Sequence, residues 1–163
     1  MKTKVEKINI RRATLDDADV LLNLIDTLAD YEKLDKPTND AKERLKIDLL
    51  GPMPRAAAYL AEYEGTVVGY AITLFTYSSF LALPTLFIED IFILEEYRNK
   101  GIGTEFYKFC AKLTLEEGCG RMEWVVLDWN KPAIDFYKKL GAEQITMWLP
   151  FRMTREQLLK LIN

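Results

Sequence analysis

The chain has 163 residues, of which 49% are hydrophobic and 12% aromatic, and its formal net charge is −3. This length allows a sizeable core, so we expect a single domain over residues 1–163. The absence of histidine excludes Ser-His-Asp and Cys-His catalysis and histidine-based zinc sites, and the slightly acidic balance disfavours nucleic acid as a partner.

The N-terminal segment MKTKVEKINIRR is charged and lacks the apolar core of a signal peptide. No apolar run in the sequence approaches the ~20 residues of a membrane span. We therefore expect a cytoplasmic protein with no membrane partner. Residues 8–11 are typical of a first strand, and Thr14 with Asp17 three positions later predicts the start of a helix.

This first helix carries an apolar stripe at helical spacing, which is typical of a core face. Tyr31 and Glu32 lie near its end, either as part of a binding surface or as a solvated helix end with one packed tyrosine. A weaker helix is predicted over residues 40–50. A hairpin over residues 57–75 turns at Glu64 and Gly65, and residues 76–84 connect it to the next strand.

An acidic pair, Glu89 and Asp90, interrupts the apolar run of that next strand, residues 86–94. Adjacent strand residues point to opposite faces, so both carboxylates cannot face solvent if the strand is central. Burying an unpaired carboxylate is costly. The pair therefore indicates a functional site or a salt bridge, and an exposed strand end with paired charges is the alternative.

The strand leads into a turn, residues 98–104, with the pattern Arg-x-x-Gly-x-Gly-Thr, and this glycine turn opens a helix. Backbone N–H groups at such a turn combine with the helix N-terminus to bind phosphate. The turn matches neither the dinucleotide fingerprint nor the Walker loop. An ordinary strand-to-helix turn, with glycines for tight geometry, is the alternative.

The helix after the turn is predicted to end near Glu117. On one helix Cys110 and Cys119 would lie ~13 Å apart, too far for a disulfide, and they form no metal motif. We therefore expect no metal ion. A strand over residues 122–127 follows, and Asn130 can cap the next helix.

The end of the chain is predicted to form a last strand or strand pair over residues 143–151 and a final helix. Thr154 and Gln157 form a capping box that opens this helix. Its apolar face should pack on the sheet or on a second subunit.

Two long motifs, IEDIFILEEYRNKGIG at residues 88–103 and DWNKPAIDFYKKLGA at residues 128–142, occur in the order strand, glycine turn, helix, strand, helix. This order resembles the GNAT superfamily of acetyl-CoA-dependent N-acetyltransferases. Together with LADYEKL at residues 28–34, the motifs look like its diamine (spermidine/spermine) branch, which includes thialysine acetyltransferases. The resemblance implies an α/β fold with a mixed, mostly antiparallel sheet flanked by helices, whose splayed central strands bind acetyl-CoA.

The resemblance also implies roles for particular residues. Glu89 would orient a water that takes the proton from the amine, and Tyr137 would protonate the departing thiolate of CoA; a core tyrosine is the alternative for Tyr137. The residues expected to hold acetyl-CoA are Ile91, Phe92, Ile93, Arg98, Asn99, Lys100, Gly101, Ile102, Gly103, Thr104, Asn130 and Ala133. For Arg98, packing that braces the turn is the alternative. The residues expected to line the amine groove are Tyr31, Glu32, Tyr77, Asp90 and Trp148.

The resemblance predicts transfer of an acetyl group from acetyl-CoA to a primary amine of a small cationic substrate, directly within a ternary complex. The diamine branch is dimeric, so we expect a homodimer. Ser78 stands where that branch carries an acidic residue, which suits a smaller or less charged amine. The alternatives are acetylation of a protein N-terminus or lysine, a different acyl donor, and a non-catalytic CoA-binding regulator.

Overall fold

The computed structural model describes residues 7–163, so the first six residues of the charged N-terminal segment lie outside the described residues. The chain divides between Leu127 and Asp128 into two compact units, and one domain over residues 1–163 stays a prediction. The strands are β1 (Ile8–Arg12), β2 (Ala57–Tyr63), β3 (Thr66–Ser78), β4 (Leu83–Ile93) and β5 (Arg121–Trp124). The helices are α1 (Ala18–Glu32), α2 (Asn39–Leu50), α3 (Ile102–Glu116), α4 (Lys131–Lys139) and α5 (Arg155–Ile162).

The strands of the first unit form one sheet in the order β1-β2-β3-β4-β5. Neighbours from β1 to β4 are antiparallel, whereas β5 runs parallel to β4, because the crossover through α3 returns the chain in the same direction. This mixed, mostly antiparallel sheet flanked by helices confirms the predicted α/β class.

Helices of the first unit cover both faces of the sheet. Tyr70 and Ala71 are neighbours in β3 and therefore point to opposite faces, and each belongs to a different core cluster. The cluster with α1 and α2 includes Leu21, Leu24, Leu49, Leu60, Tyr70 and Phe92. The cluster with α3 includes Ala61, Val68, Ala71, Ile102 and Phe106.

Local sequence signals at the ends of elements are confirmed. The Thr14 N–H donates to the Asp17 carboxylate at 2.8 Å, which completes the predicted capping box. Glu64 and Gly65 have φ angles of 51° and 85°, and a type I′ hairpin turn requires positive φ at both positions. These features depend on residues close in sequence, so the sequence alone is sufficient to predict them.

Three predictions about strands are wrong in part or in whole. β3 extends to Ser78 and β4 begins at Leu83, so the connection predicted over residues 76–84 is shorter. The strand predicted over residues 122–127 is β5, which ends at Trp124, and Val125 beyond it is exposed. Residues 143–151 form neither helix nor strand, although a strand or strand pair was predicted there. A strand exists only where a neighbouring strand accepts its hydrogen bonds, and a hydrophobic pattern does not supply that neighbour.

The second unit contains α4 and α5. Asn130 caps α4 as predicted, because its side-chain oxygen accepts from the Ala133 N–H at 3.4 Å. Thr154 and Gln157 form the predicted capping box of α5. Among residues 7–163, the structure contains no helix that is both long enough and apolar enough to cross a membrane.

Candidate active site

The acidic pair of β4 lies at a β-bulge. Ile72 of β3 pairs with Asp90, and the next residue of β3, Thr73, pairs with Ile88, so Glu89 is the extra residue of the bulge. Glu89 is exposed, whereas Asp90 is partly buried on the sheet face covered by α1 and α2. The bulge therefore gives the two carboxylates different surroundings.

The bulge also marks the point where β4 and β5 separate. Their parallel pairing runs from Thr85 with Arg121 to Ile88 with Trp124 and ends there, while β4 continues to Ile93. Among the described strands, none pairs with the β5-facing edge of residues 89–93. The resemblance predicts that backbone groups of Ile91, Phe92 and Ile93 hold the cofactor here, and that role stays a prediction.

Asp90 belongs to a cluster of acidic and aromatic side chains. The Tyr70 hydroxyl donates a hydrogen bond to the Asp90 carboxylate at 3.2 Å. The pKa of Asp90 is raised to about 6, chiefly by burial and also by the nearby charges of Glu89 and Glu32, while the Tyr70 hydrogen bond acts in the opposite direction. Burial also raises the pKa of Glu32 above its ordinary value. Both carboxylates would therefore be stabilised by a cation bound beside them.

The rings of this cluster come from three elements. Phe92 of β4 lies 6.3 Å from Tyr31 of α1 and 6.4 Å from Tyr70 of β3, measured between ring centroids. Helix α1 ends directly after Glu32, because Lys33 adopts a left-handed conformation with φ of 59°. The acidic–aromatic cluster, as we call it, consists of Tyr31, Glu32, Tyr70, Asp90 and Phe92.

Arg98 begins the glycine turn, and its side chain contacts protein groups. Its Nε–H donates to the Ile93 carbonyl at 3.1 Å. Its guanidinium lies 4.6 Å from the Tyr31 ring centroid and 5.7 Å from that of Phe92. These contacts favour a bracing role for Arg98, and its predicted contact with the cofactor stays a prediction.

The rest of the glycine turn supplies the hydrogen-bond donors and the positive charge that a diphosphate needs. Asn99 and Gly101 have φ angles of 60° and 84°, and open space surrounds the position of a Cβ at Gly101. The first amides of α3, which begins at Ile102, have no acceptor inside the helix. The Lys100 ammonium lies 4.9 Å from the Tyr97 ring centroid. Backbone donors, a helix N-terminus and a lysine together fit the pyrophosphate of acetyl-CoA.

Tyr77, a predicted groove residue, lies apart from the acidic–aromatic cluster. It is five residues beyond Ile72, the partner of Asp90, so it lies about 16 Å farther along β3. Its side chain is exposed near the tip of the β3–β4 hairpin. Within the first unit, the fold therefore brings together Tyr31, Glu32 and Asp90 but not Tyr77.

The predicted site residues of the second unit lie on α4 and after it. Tyr137 is in α4 with its ring 5.9 Å from that of Phe136, and Asn130 and Ala133 form the start of the same helix. Trp148 lies in the segment without regular structure and is 71% exposed. Their roles stay predictions.

Sequence reasoning did not identify Tyr70 as a site residue. Tyr70 is fully buried in an apolar strand, where it is typical of a core residue. Only the register of β3 against β4 brings its hydroxyl to Asp90, and no pattern in the sequence indicates that register.

Comparisons with known proteins identify the family of this chain. The model of the acetyltransferase (GNAT) family matches residues 23–142. A thialysine N-epsilon-acetyltransferase of Bos taurus is 36% identical over 94% of this chain and 96% of its own length. An L-ornithine N5-acetyltransferase of Arabidopsis thaliana is 40% identical over 71% of this chain and 52% of its own length.

A solved structure supports the fold. An aminoglycoside N-acetyltransferase in complex with CoA matches with a TM-score of 0.75 at 18% identity, covering 95% of this chain and 99% of that one. The resemblance to the GNAT superfamily and its diamine branch, first seen in the two long motifs, is confirmed. This chain belongs to the acetyltransferase (GNAT) family and is an acetyl-CoA-dependent N-acetyltransferase.

Proposed function

We propose that this enzyme acetylates a primary amine of a small cationic substrate: a polyamine, a diamine or a thialysine-like compound. The acidic–aromatic cluster carries the proposal, because Glu32 and Asp90 supply negative charge and Tyr31 supplies a ring face, which together suit an ammonium group. The named relatives act on thialysine and L-ornithine, both of which are small amines.

The reaction is direct transfer within a ternary complex. Acetyl-CoA supplies the acetyl group as a thioester, and transfer forms the amide C–N bond while the C–S bond breaks. Glu89, exposed on the bulge, orients a water that accepts the proton of the amine. A backbone N–H on the unpaired edge of β4 donates to the acetyl oxygen as negative charge develops there.

Tyr137 completes the reaction by donating its proton to the departing sulfur. Tyrosine and thiol groups have ordinary pKa values near one another, so this transfer is chemically matched. Tyr77 and Trp148 are proposed to contact the far part of the amine. The homodimer and the cytoplasmic location also stay predictions.

The substrate proposal is tested by measuring thiol release from acetyl-CoA with an amine panel. The panel contains putrescine, spermidine, spermine, thialysine, ornithine, lysine and peptides with free N-termini. We expect selective turnover of one small amine. Turnover of peptides alone would overturn the small-amine proposal. Binding of acetyl-CoA without turnover of any amine would favour the alternative of a non-catalytic CoA-binding regulator.

The role of Tyr137 is tested by Tyr137→Phe, with Tyr59→Phe as the matched control. Tyr59 lies on β2, where its ring packs on Phe109 of α3, so its hydroxyl has no part in the proposed chemistry. We expect Tyr137→Phe to lower kcat about 10²–10⁴-fold, with the KM for acetyl-CoA nearly unchanged. An unchanged kcat would remove Tyr137 from the mechanism.

A further inference from the structure

Arg98 connects the end of β4 and the glycine turn with helix α1, which is distant in sequence. Its Nε–H donates to the carbonyl of Ile93 at the end of β4, and its guanidinium lies against Tyr31 in the last turn of α1. Its own backbone N–H donates to the Glu95 carbonyl at 3.1 Å, which holds it at the start of the glycine turn. One side chain therefore connects the glycine turn, the site strand and the helix end that carries Glu32.

We infer that Arg98 is a positioning residue that couples the two substrate sites, so that acetyl-CoA binding in the glycine turn orders the amine site and the two substrates bind cooperatively. The inference rests on the proposed function, in which residues 98–104 hold the diphosphate and the acidic–aromatic cluster holds the amine. It adds a physical connection between them.

The position of Tyr31 depends on contacts outside its own helix. Helix α1 ends one residue later, and residues 34–38 after it have no regular structure. The Tyr31 ring is therefore held by tertiary contacts that include Phe92 at 6.3 Å and the Arg98 guanidinium at 4.6 Å. A planar guanidinium suits this place, because it can stack on a ring and donate from its edge at the same time.

A diphosphate bound at the glycine turn would lie at residues next in sequence to Arg98, whose side chain contacts Tyr31. Arg98 immediately precedes Asn99, whose φ of 60° belongs to the turn that presents the backbone donors. A diphosphate that orders these donors restricts the backbone of Arg98 and, through it, the Tyr31 ring. Because binding free energies are linked, an amine in the cluster must raise the affinity for CoA by the same factor.

The first test measures amide hydrogen exchange of residues 28–34 with and without saturating CoA. We expect CoA to slow the exchange of these amides in the wild-type enzyme but not in Arg98→Met. The matched control is Lys108→Met, which removes one positive charge from the exposed surface of α3 and should keep the effect. Equal protection by CoA in Arg98→Met, or no protection in the wild-type enzyme, would overturn the inference.

A second pair of variants keeps the test decisive if Arg98→Met does not fold. Tyr31→Phe retains the ring and should retain the protection by CoA, whereas Tyr31→Leu removes the ring face and should lose it. Equal protection in the two variants would contradict a connection through the ring.

Kinetics provide a second readout, with thialysine as the amine. We expect Arg98→Met to raise the KM for thialysine roughly threefold to tenfold, which is the scale of one partly buried cation–ring contact. An unchanged KM in an active variant would overturn the coupling. Absence of thialysine turnover in the wild-type enzyme would count against the proposed substrate instead, and the exchange experiment would still decide the role of Arg98.

Discussion

Replacing Asp90 by asparagine should make the protein more stable and its amine site weaker. The asparagine would keep the size of the side chain and an oxygen that accepts from the Tyr70 hydroxyl, so the main change is loss of charge. Asp90 has a pKa of about 6 in the fold, chiefly because it is partly buried, against an ordinary 3.8. The folded protein therefore disfavours the charged carboxylate.

The size of the stability effect follows from this difference. The pKa of Asp90 rises from 3.8 to about 6 on folding, which corresponds to about 3 kcal/mol at about 1.4 kcal/mol per unit. The folded state binds the proton of Asp90 more tightly than the unfolded state does. The loss of stability caused by the buried charge is therefore complete above about pH 6 and disappears as the pH falls below about 4. Asp90→Asn should thus raise Tm by roughly 5–10 °C at pH 8 and leave it nearly unchanged near pH 3.5.

The same change should weaken binding of the amine. A full charge a few ångströms from an ammonium at a partly buried site contributes a few kcal/mol, so we expect affinity to fall about 10-fold to 100-fold. Calorimetry over pH 5–8 measures this, because alkyl ammonium groups with pKa values near 10 stay charged there. Wild-type affinity should decline below about pH 6, and Asp90→Asn should lose that decline.

Glu89→Gln is the matched control, since it removes the neighbouring charge from an exposed position. It should lower kcat and should not reproduce the gain in Tm. If Asp90→Asn is no more stable than the wild-type enzyme at pH 8, or binds the amine equally well, the reasoning about buried charge at this site is refuted.

Three further changes test other parts of the fold. Gly69→Ala would place a Cβ 2.5 Å from the Phe92 carbonyl oxygen and should cost about 1–3 kcal/mol, measured by urea unfolding; an unchanged midpoint would contradict this close approach. Gly101→Ala strains a residue with φ of 84° by about 1–2 kcal/mol and should raise the KM for acetyl-CoA, whereas an unchanged KM would remove the turn from cofactor binding. The Arg11 guanidinium holds the pKa of Asp17 well below its ordinary value. Asp17→Asn should therefore lower the free energy of unfolding by about 1–3 kcal/mol at pH 7 and by progressively less below about pH 4. A loss of stability that persists in acid would contradict the ion pair as its cause.

Sequence reasoning was accurate where neighbouring residues determine the conformation. The glycine turn, the caps at Thr14 and Thr154 and the turn at Glu64 and Gly65 all depend on short-range hydrogen bonds and allowed φ angles. It was wrong for residues 143–151, where the alternating pattern suits a strand but the structure provides no strand partner among the described residues.

The candidate site was predictable only in part for the same reason. Tyr31, Glu32 and Asp90 stood out because acidic and aromatic residues at those places matched motifs of the family. Tyr70 did not stand out, because a buried tyrosine has an ordinary structural use, and the contact of Arg98 with Tyr31 depends on the tertiary structure.

The sequence by itself determined the family, the order of elements and the residues with chemical potential, because its motifs are contiguous and their local geometry follows from nearby residues. Only the tertiary structure decided that Glu89 is exposed while Asp90 is partly buried, since a bulge depends on the register between β3 and β4. It also decided that Tyr70 contacts Asp90 and that Arg98 contacts Tyr31. Pairing of β3 with β4 brings Tyr70 to Asp90, and packing of α1 against the sheet brings Tyr31 to Arg98.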